Sequence, residues 1–295
     1  MRSLTPWTPA AGLLAAAGVV TGLAAGSTGV IPDGAGRASV GPGLVASASP
    51  DPGSLSGASL VGVSPGTQAG PPGVPREFYF SRVAYSGYGR GYYGRGRSWA
   101  VDFPKADRQF LVVLERLVNL DIYAMEHPVV LDDPGVRRFP FLYALEVGGM
   151  ALTPPEVDGL RSYLLAGGFL VIDDFWGTRE WENFEREIRR VLPEYPIVDL
   201  DLEHPLFSSF YDIDEIVQVP GVRQGRRGGP TWERDGYEAQ VRGIFDDRGR
   251  LMVVINFNTD LGDAWEHADS PYYPLDSSTY AFEVAVNQIV YGMSH

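Results

Sequence analysis

The stretch Gly167-Gly168-Phe169-Leu170-Val171-Ile172-Asp173-Asp174 limits the possible folds more than any other part of the chain. Four consecutive large apolar side chains cannot alternate between core and solvent. A strand made from them is covered on both faces, as in the middle of a parallel sheet. The glycines ahead of it suit the left-handed stop of a helix. That helix has an opening signal at Thr153-Pro154-Pro155-Glu156, where Thr caps, Pro takes the first helical position and Glu closes the capping box.

Strand and helix patterns alternate around this unit. Strands are predicted at 77–84, 122–125, 139–147 and 197–202, and a hairpin at 237–245 and 251–257 around Asp246-Asp247-Arg248-Gly249. One helix carries Phe110, Val113, Leu114, Leu117 and Val118 on one face, and a second carries Trp181, Phe184, Ile188, Val191 and Leu192. The last helix aligns Phe282, Ala285, Val286, Ile289, Val290 and Met293. The alternation predicts an α/β fold with flavodoxin-like winding, a mostly parallel sheet with helices on both faces.

Residues 1–26 begin with Arg2 and continue as an Ala/Gly/Leu/Val run, the layout of a signal peptide or, if retained, an N-terminal anchor. Residues 27–75 are Gly, Pro, Ser, Ala and Val with almost no charge, and read as a disordered linker. Residues 76–295 remain as a single α/β domain. The expected location is periplasmic or extracellular, with membrane contact only through the N-terminal segment.

The net charge is −13. Arg2 and Arg37 cancel Asp33 and Asp51 in the leader, so the acidity belongs to the domain and argues against nucleic acid as a partner. For the same reason the Tyr/Arg-rich loop 85–99 reads as a lid over the site, its arginines answering carboxylates or an anionic ligand. The chain has no cysteine, which excludes disulfides, a thiolate nucleophile and thiolate metal ligation. No nucleophile elbow, phosphate-binding loop or zinc-helix motif is present.

In open α/β sheets ligands bind beyond the carboxyl ends of the strands. The residues following the predicted strands are therefore the candidates. They are Arg82, Tyr85, Arg90, Arg95, Arg97, Trp99 and Asp102 after the first strand, and Gly148-Gly149 after the third. Asp173, Asp174 and Trp176 follow the central strand, and Asn256, Asn258, Asp260, Asp263, Trp265 and Glu266 the last. Asp173 and Asp174 are costly beside a buried apolar run unless they are compensated, which makes them candidate metal ligands or a general base. Asp102 either assists them or caps the helix that begins near Pro104. His204, before Pro205, is a general-base candidate or a structural hydrogen bonder. Amides and carboxylates beside an indole suit recognition of a sugar or polyol, or oxygen ligation of a hard cation. No cofactor is evident, and a divalent cation fits the carboxylates.

Arg82…Tyr85, Trp99-x-x-Asp102-x-Pro104-x-x-Asp107, Gly167-Gly168-Phe169-Leu170…Asp173-Asp174, His204-Pro205-Leu206-Phe207 and Asn258-x-Asp260-x-Gly262-Asp263-Ala264-Trp265-Glu266 together resemble the bacterial family catalogued as domain of unknown function 4159. That family is similar to ThuA-like and class I glutamine amidotransferase-like domains, and the resemblance implies their fold. In the amidotransferases a cysteine follows the central strand. Here Asp173-Asp174 stands there, so cysteine-dependent glutaminase chemistry is excluded.

Three functions remain open. The first is binding of a small polar ligand, a sugar, polyol or cell-envelope fragment, at the rim of the sheet. The second is a metal- or carboxylate-dependent hydrolase, and the third a structural partner in envelope assembly. Oligomeric state has no signature in the sequence.

Overall fold

The computed structural model describes residues 75–88, 98–225 and 228–295. The expected signal or anchor segment, the expected linker up to residue 74, and Arg90, Arg95 and Arg97 of the expected lid lie outside the described residues.

Seven strands form one sheet: β1 (Ser81–Val83), β2 (His127–Val129), β3 (Phe141–Leu145), β4 (Phe169–Asp173), β5 (Ile197–Asp199), β6 (Gln240–Phe245) and β7 (Leu251–Phe257). Their spatial order is β2-β1-β3-β4-β7-β6-β5. The first five in that order pair in parallel, and β6 and β5 are added antiparallel at one edge. The helices are α1 (Lys105–Leu117), α2 (Pro154–Leu165), α3 (Gly177–Val191), the single turn α4 (Val222–Gly225), α5 (Leu261–Glu266) and α6 (Leu275–Ser294). The architecture is α/β with a mostly parallel sheet, as expected. Among the described residues no helix is long and apolar enough to cross a membrane.

β4 behaves as its composition dictates, with all five residues buried. Phe169 and Val171 face one core with Phe110, Leu114, Trp265 and Val286, residues of α1, α5 and α6. Leu170 and Ile172 face a second core with Leu160 and Leu164 of α2 and Phe184 and Ile188 of α3. The period-two alternation of the strand thus divides the helices between the two faces of the sheet.

The helix entering β4 starts and stops where its caps direct. The Glu156 carboxylate accepts from the Thr153 amide at 2.7 Å and from its hydroxyl at 2.8 Å. At the other end Gly167 sits at φ +113°, and the Gly168 amide donates to the Tyr163 carbonyl. Glu156 also accepts from the Ser86 amide at 2.8 Å, which ties the loop after β1 to α2.

The strand expected at 122–125 forms further along, at His127–Val129. Ile122 makes only an isolated bridge to Phe78, whereas Val129 is fully buried and pairs with Val83. Burial of alternate residues fixes the register at the later position. The strand expected through 202 ends at Asp199, as an edge strand with Val198 and Asp199 exposed.

Candidate functional site

The chain adds β2 on one side of β1 and then β3 on the other, so strand order reverses between β1 and β3. Four neighbouring parallel strands, β1, β3, β4 and β7, each deliver an acidic residue beyond their carboxyl ends. These are Asp102, Glu146, Asp174 and Asp260. Three of them, Asp102, Glu146 and Asp174, hold left-handed backbone, with φ 60°, 55° and 47°, and Asn258 beside Asp260 has φ 59°. Such conformations cost non-glycine residues of order 1 kcal/mol or more and persist where the surroundings enforce them.

Asp102, Asp174 and Asp260 are buried and bring one carboxylate oxygen each to within 4.8 Å of the others. Asp174 Oδ1 accepts from the Trp176 indole at 3.0 Å, and Asp260 Oδ1 accepts from the Asp263 amide at 2.7 Å, capping α5. Asp102 does not cap α1. Its carbonyl accepts from the Ala106 amide, and its buried Oδ2 has no hydrogen-bond partner. Burial pushes all three carboxyls well above the usual range. Repulsion adds to it, chiefly from Asp263 on Asp102, from Glu146 on Asp174 and from Asp174 on Asp260.

Asp173 stands apart from this group although it precedes Asp174. It is the last residue of β4 and shares the facing of Phe169 and Val171, so its side chain turns under α5. There it accepts from the Tyr143 hydroxyl at 2.6 Å and from the Leu261 and Gly262 amides. Burial pushes it up to about 6, while the tyrosine and the two amides pull it back. The expected metal pair Asp173 and Asp174 is therefore divided, with only Asp174 in the cluster.

A cleft of about 820 Å³ opens beside the reversal point, lined by Tyr88 and Ser98 after β1, Glu146 and Gly149 after β3, and Arg179 and Asn183 of α3. Glu180 and Arg234 complete the wall and form an ion pair at 2.9 Å. The Glu146 amide donates to the Asp174 carbonyl at 2.9 Å, joining the cleft to the carboxylate cluster. Burial, followed by repulsion from Glu180, pushes the Glu146 carboxyl up to about 7. Glu146, Glu180 and Arg234 were not among the residues expected from the sequence, although Glu146 follows a strand by the same rule that nominated Gly148-Gly149.

The family described as a domain of unknown function (DUF4159) matches residues 80–293. The chain belongs to this family. No curated protein matches it. Family membership brings no assigned residue roles, so the side chains of this DUF4159 domain must be judged by what they touch.

Several candidates hold the scaffold together. Arg82 is fully buried and donates through Nε to both carboxylate oxygens of Asp107 at 3.0 and 3.1 Å, and through Nη1 to the Val101 carbonyl. The Tyr85 hydroxyl meets the Leu145 and Glu146 carbonyls and Ser98, clamping the loop after β1 to the end of β3. Trp99 packs on Phe103. Trp265 lies in the core against Phe110 and Tyr143, its indole bonded to the Ala281 carbonyl. Asn256 pairs with Gln288, and Asn258 bridges the Gly177 amide and the Glu238 carbonyl. Asp263 accepts from the Val222 amide, and with Glu266 and His267 forms a second, partly buried group beside the cluster.

His204 is not brought to this rim. Its Nδ1 accepts from the Leu206 amide, and its ring packs on Phe245 and Tyr291. Phe245 pairs with Leu251, the first residue of β7, so His204 belongs to the amino-terminal edge of the parallel strands. The unshared role of its imidazole is to cap a short 3₁₀ turn.

Proposed function

We propose that the DUF4159 domain binds a small, hydroxyl-rich polar ligand in the cleft beside the β1/β3 reversal point. The observation that carries this reading is the position of the cleft. Its walls come from the loops after β1 and β3 and from the helix that follows β4, where strand order reverses and ligands of open α/β sheets are held. The lining is mixed in sign, with Arg179, Arg186 and Arg234 set against Glu146, Glu180 and Glu182, and Asn183 offers an amide. Such a wall suits many hydroxyls better than a single strong charge.

The parallel order β2-β1-β3-β4-β7 supports a flavodoxin-like winding and, with it, kinship to ThuA-like and amidotransferase-like domains. The signal-like layout of residues 1–26 favours export and directs the search to sugars, polyols and envelope fragments. A second reading is hydrolysis of the bound ligand. It is favoured by Glu146, a carboxylate that belongs to the cleft wall while its amide bonds to the carbonyl of Asp174.

The test is a thermal-shift and calorimetric screen of the full chain against such sugars, polyols and peptidoglycan fragments. A ligand present at about a hundred times its Kd should stabilise by roughly 2.7 kcal/mol. Asn183→Ala and Arg234→Ala should abolish that gain. If no compound at millimolar concentration raises the Tm, or if the cleft variants respond like the parent, the reading fails. Release of product from a chromogenic glycoside or ester panel, lost in Glu146→Gln, would favour hydrolysis.

A further inference from the structure

The carboxylates of Asp102, Asp174 and Asp260 are not among the cleft-lining residues. Among the described residues no Arg, Lys or His lies within ion-pair distance of any of the three, and no hydrogen bond joins one to another. Arg82, the cation whose field reaches Asp102, gives its guanidinium to Asp107. Three buried carboxyls without an ion-pair partner are costly to ionise together, and either protons or a bound cation must neutralise them.

Two further features make this more than an acidic cluster. Asp102 is only 9% exposed, and its Oδ2 lacks any partner, although a buried carboxylate oxygen normally finds a donor. That oxygen points to the first turn of α5, which Asp260 caps. A Cβ on Gly262 would stand 2.6 Å from it, so glycine leaves the space that the carboxylate fills.

We infer that Asp102, Asp174 and Asp260 hold one hard divalent cation, completed by water, at the carboxyl ends of β1, β4 and β7. The donors are all oxygen, which favours Ca²⁺, Mg²⁺ or Mn²⁺ over softer metals. Their oxygens all lie within 4.8 Å of one another, close enough for one ion bound at roughly 2.4 Å to be shared among them. The carboxylates of Asp174 and Asp260 are oriented by the Trp176 indole and the Asp263 amide, the kind of outer support that fixes ligating carboxylates. The cation site goes beyond the polar-ligand reading and does not depend on it, since the side chains concerned are different.

The test uses the full chain, treated with chelator and titrated with CaCl₂, MnCl₂ and TbCl₃. The expected result is one-to-one binding by calorimetry, a rise in Tm, and terbium luminescence excited through indole, with Trp176 bonded directly to Asp174. Asn is the substitution of choice because it tolerates left-handed backbone at Asp102 and Asp174 and retains the cap at Asp260. Asp102→Asn and Asp174→Asn should each weaken binding at least tenfold. Asp102→Asn should also raise the Tm of the chelated protein, because it removes a repelled buried charge. A merely structural aspartate would show the opposite sign. Asp260→Asn gives an independent third variant should either of the others misfold. Absence of binding at millimolar cation, or unchanged affinity in the folded variants, overturns the inference. Failure of the sugar screen with this result intact would leave the cation site standing.

Discussion

Arg82 and Asp107 form an ion pair in which the Nε of the first donates to both carboxylate oxygens of the second, both side chains being fully buried. The pair locks β1 to α1, and the same guanidinium reaches the Val101 carbonyl, holding the loop that delivers Asp102. Breaking a buried pair by removing one partner leaves an uncompensated charge and costs about 3–5 kcal/mol. Arg82→Met should lower unfolding stability by about that amount in urea, while Arg82→Met combined with Asp107→Leu should recover much of the loss. A single variant within about 0.5 kcal/mol of the parent would remove the pair from the scaffold.

The cation-free chain should lose stability as pH rises. Asp102, Asp174 and Asp260 have folded-state values above their unfolded value of about 4, so ionisation costs the folded state more. Their contribution is most favourable below that value and is lost as pH rises through the folded values. Asp173, Glu146, Asp263 and Glu266 face the cluster with the same sign, and Arg82 opposes them at Asp102. In the presence of chelator the Tm should fall between about pH 5 and about pH 8, and saturating Ca²⁺ should flatten the slope. A Tm that climbs over that interval would show that the three carboxylates ionise without penalty.

Trp265→Ala should act through the core. The indole packs on Phe80, Phe110 and Tyr143 and is bonded to the Ala281 carbonyl. Truncation of a buried aromatic of this size costs about 3–5 kcal/mol. Any change in ligand affinity should appear only where the Tm has already collapsed. Loss of affinity with an unchanged Tm would return Trp265 to the binding surface.

His204→Ala should leave both cation and ligand binding unchanged, because the imidazole caps a turn at the amino-terminal edge of the sheet. Loss of the cap should cost about 0.5–2 kcal/mol, read as a small shift of the urea midpoint. A fall in affinity larger than twofold in calorimetry would contradict this placement.

Local patterns carried the elements well where both ends were marked. The β4 run, the helix stop at Gly167-Gly168 and the 153–156 cap each form as expected. The short strand beside β1 was displaced along the chain because no local pattern distinguishes Ile122 from Val129. Their burial is decided by which face of a distant strand they meet. The rule that candidates follow strand ends found Asp102, Asp174 and Asp260. The same rule gave no way to separate them from Trp265, Asn256 or Asp173, which follow or end the same strands and turn inward.

The chain by itself determined that a fully covered strand runs into two aspartates, that no thiolate chemistry is available, and that helices alternate with strands. These follow from periodicity and composition, which are properties of neighbouring residues. Tertiary structure alone decided that Asp174 meets Asp102 and Asp260 while Asp173 turns beneath α5 to Tyr143, and that Glu146 joins a cleft at the reversal of strand order. The reason is that side-chain facing alternates residue by residue, whereas the identity of the adjacent strand is set by long-range packing. Adjacent aspartates of the same chemistry therefore acquire different roles, one bonded into the scaffold and one held in a buried carboxylate cluster.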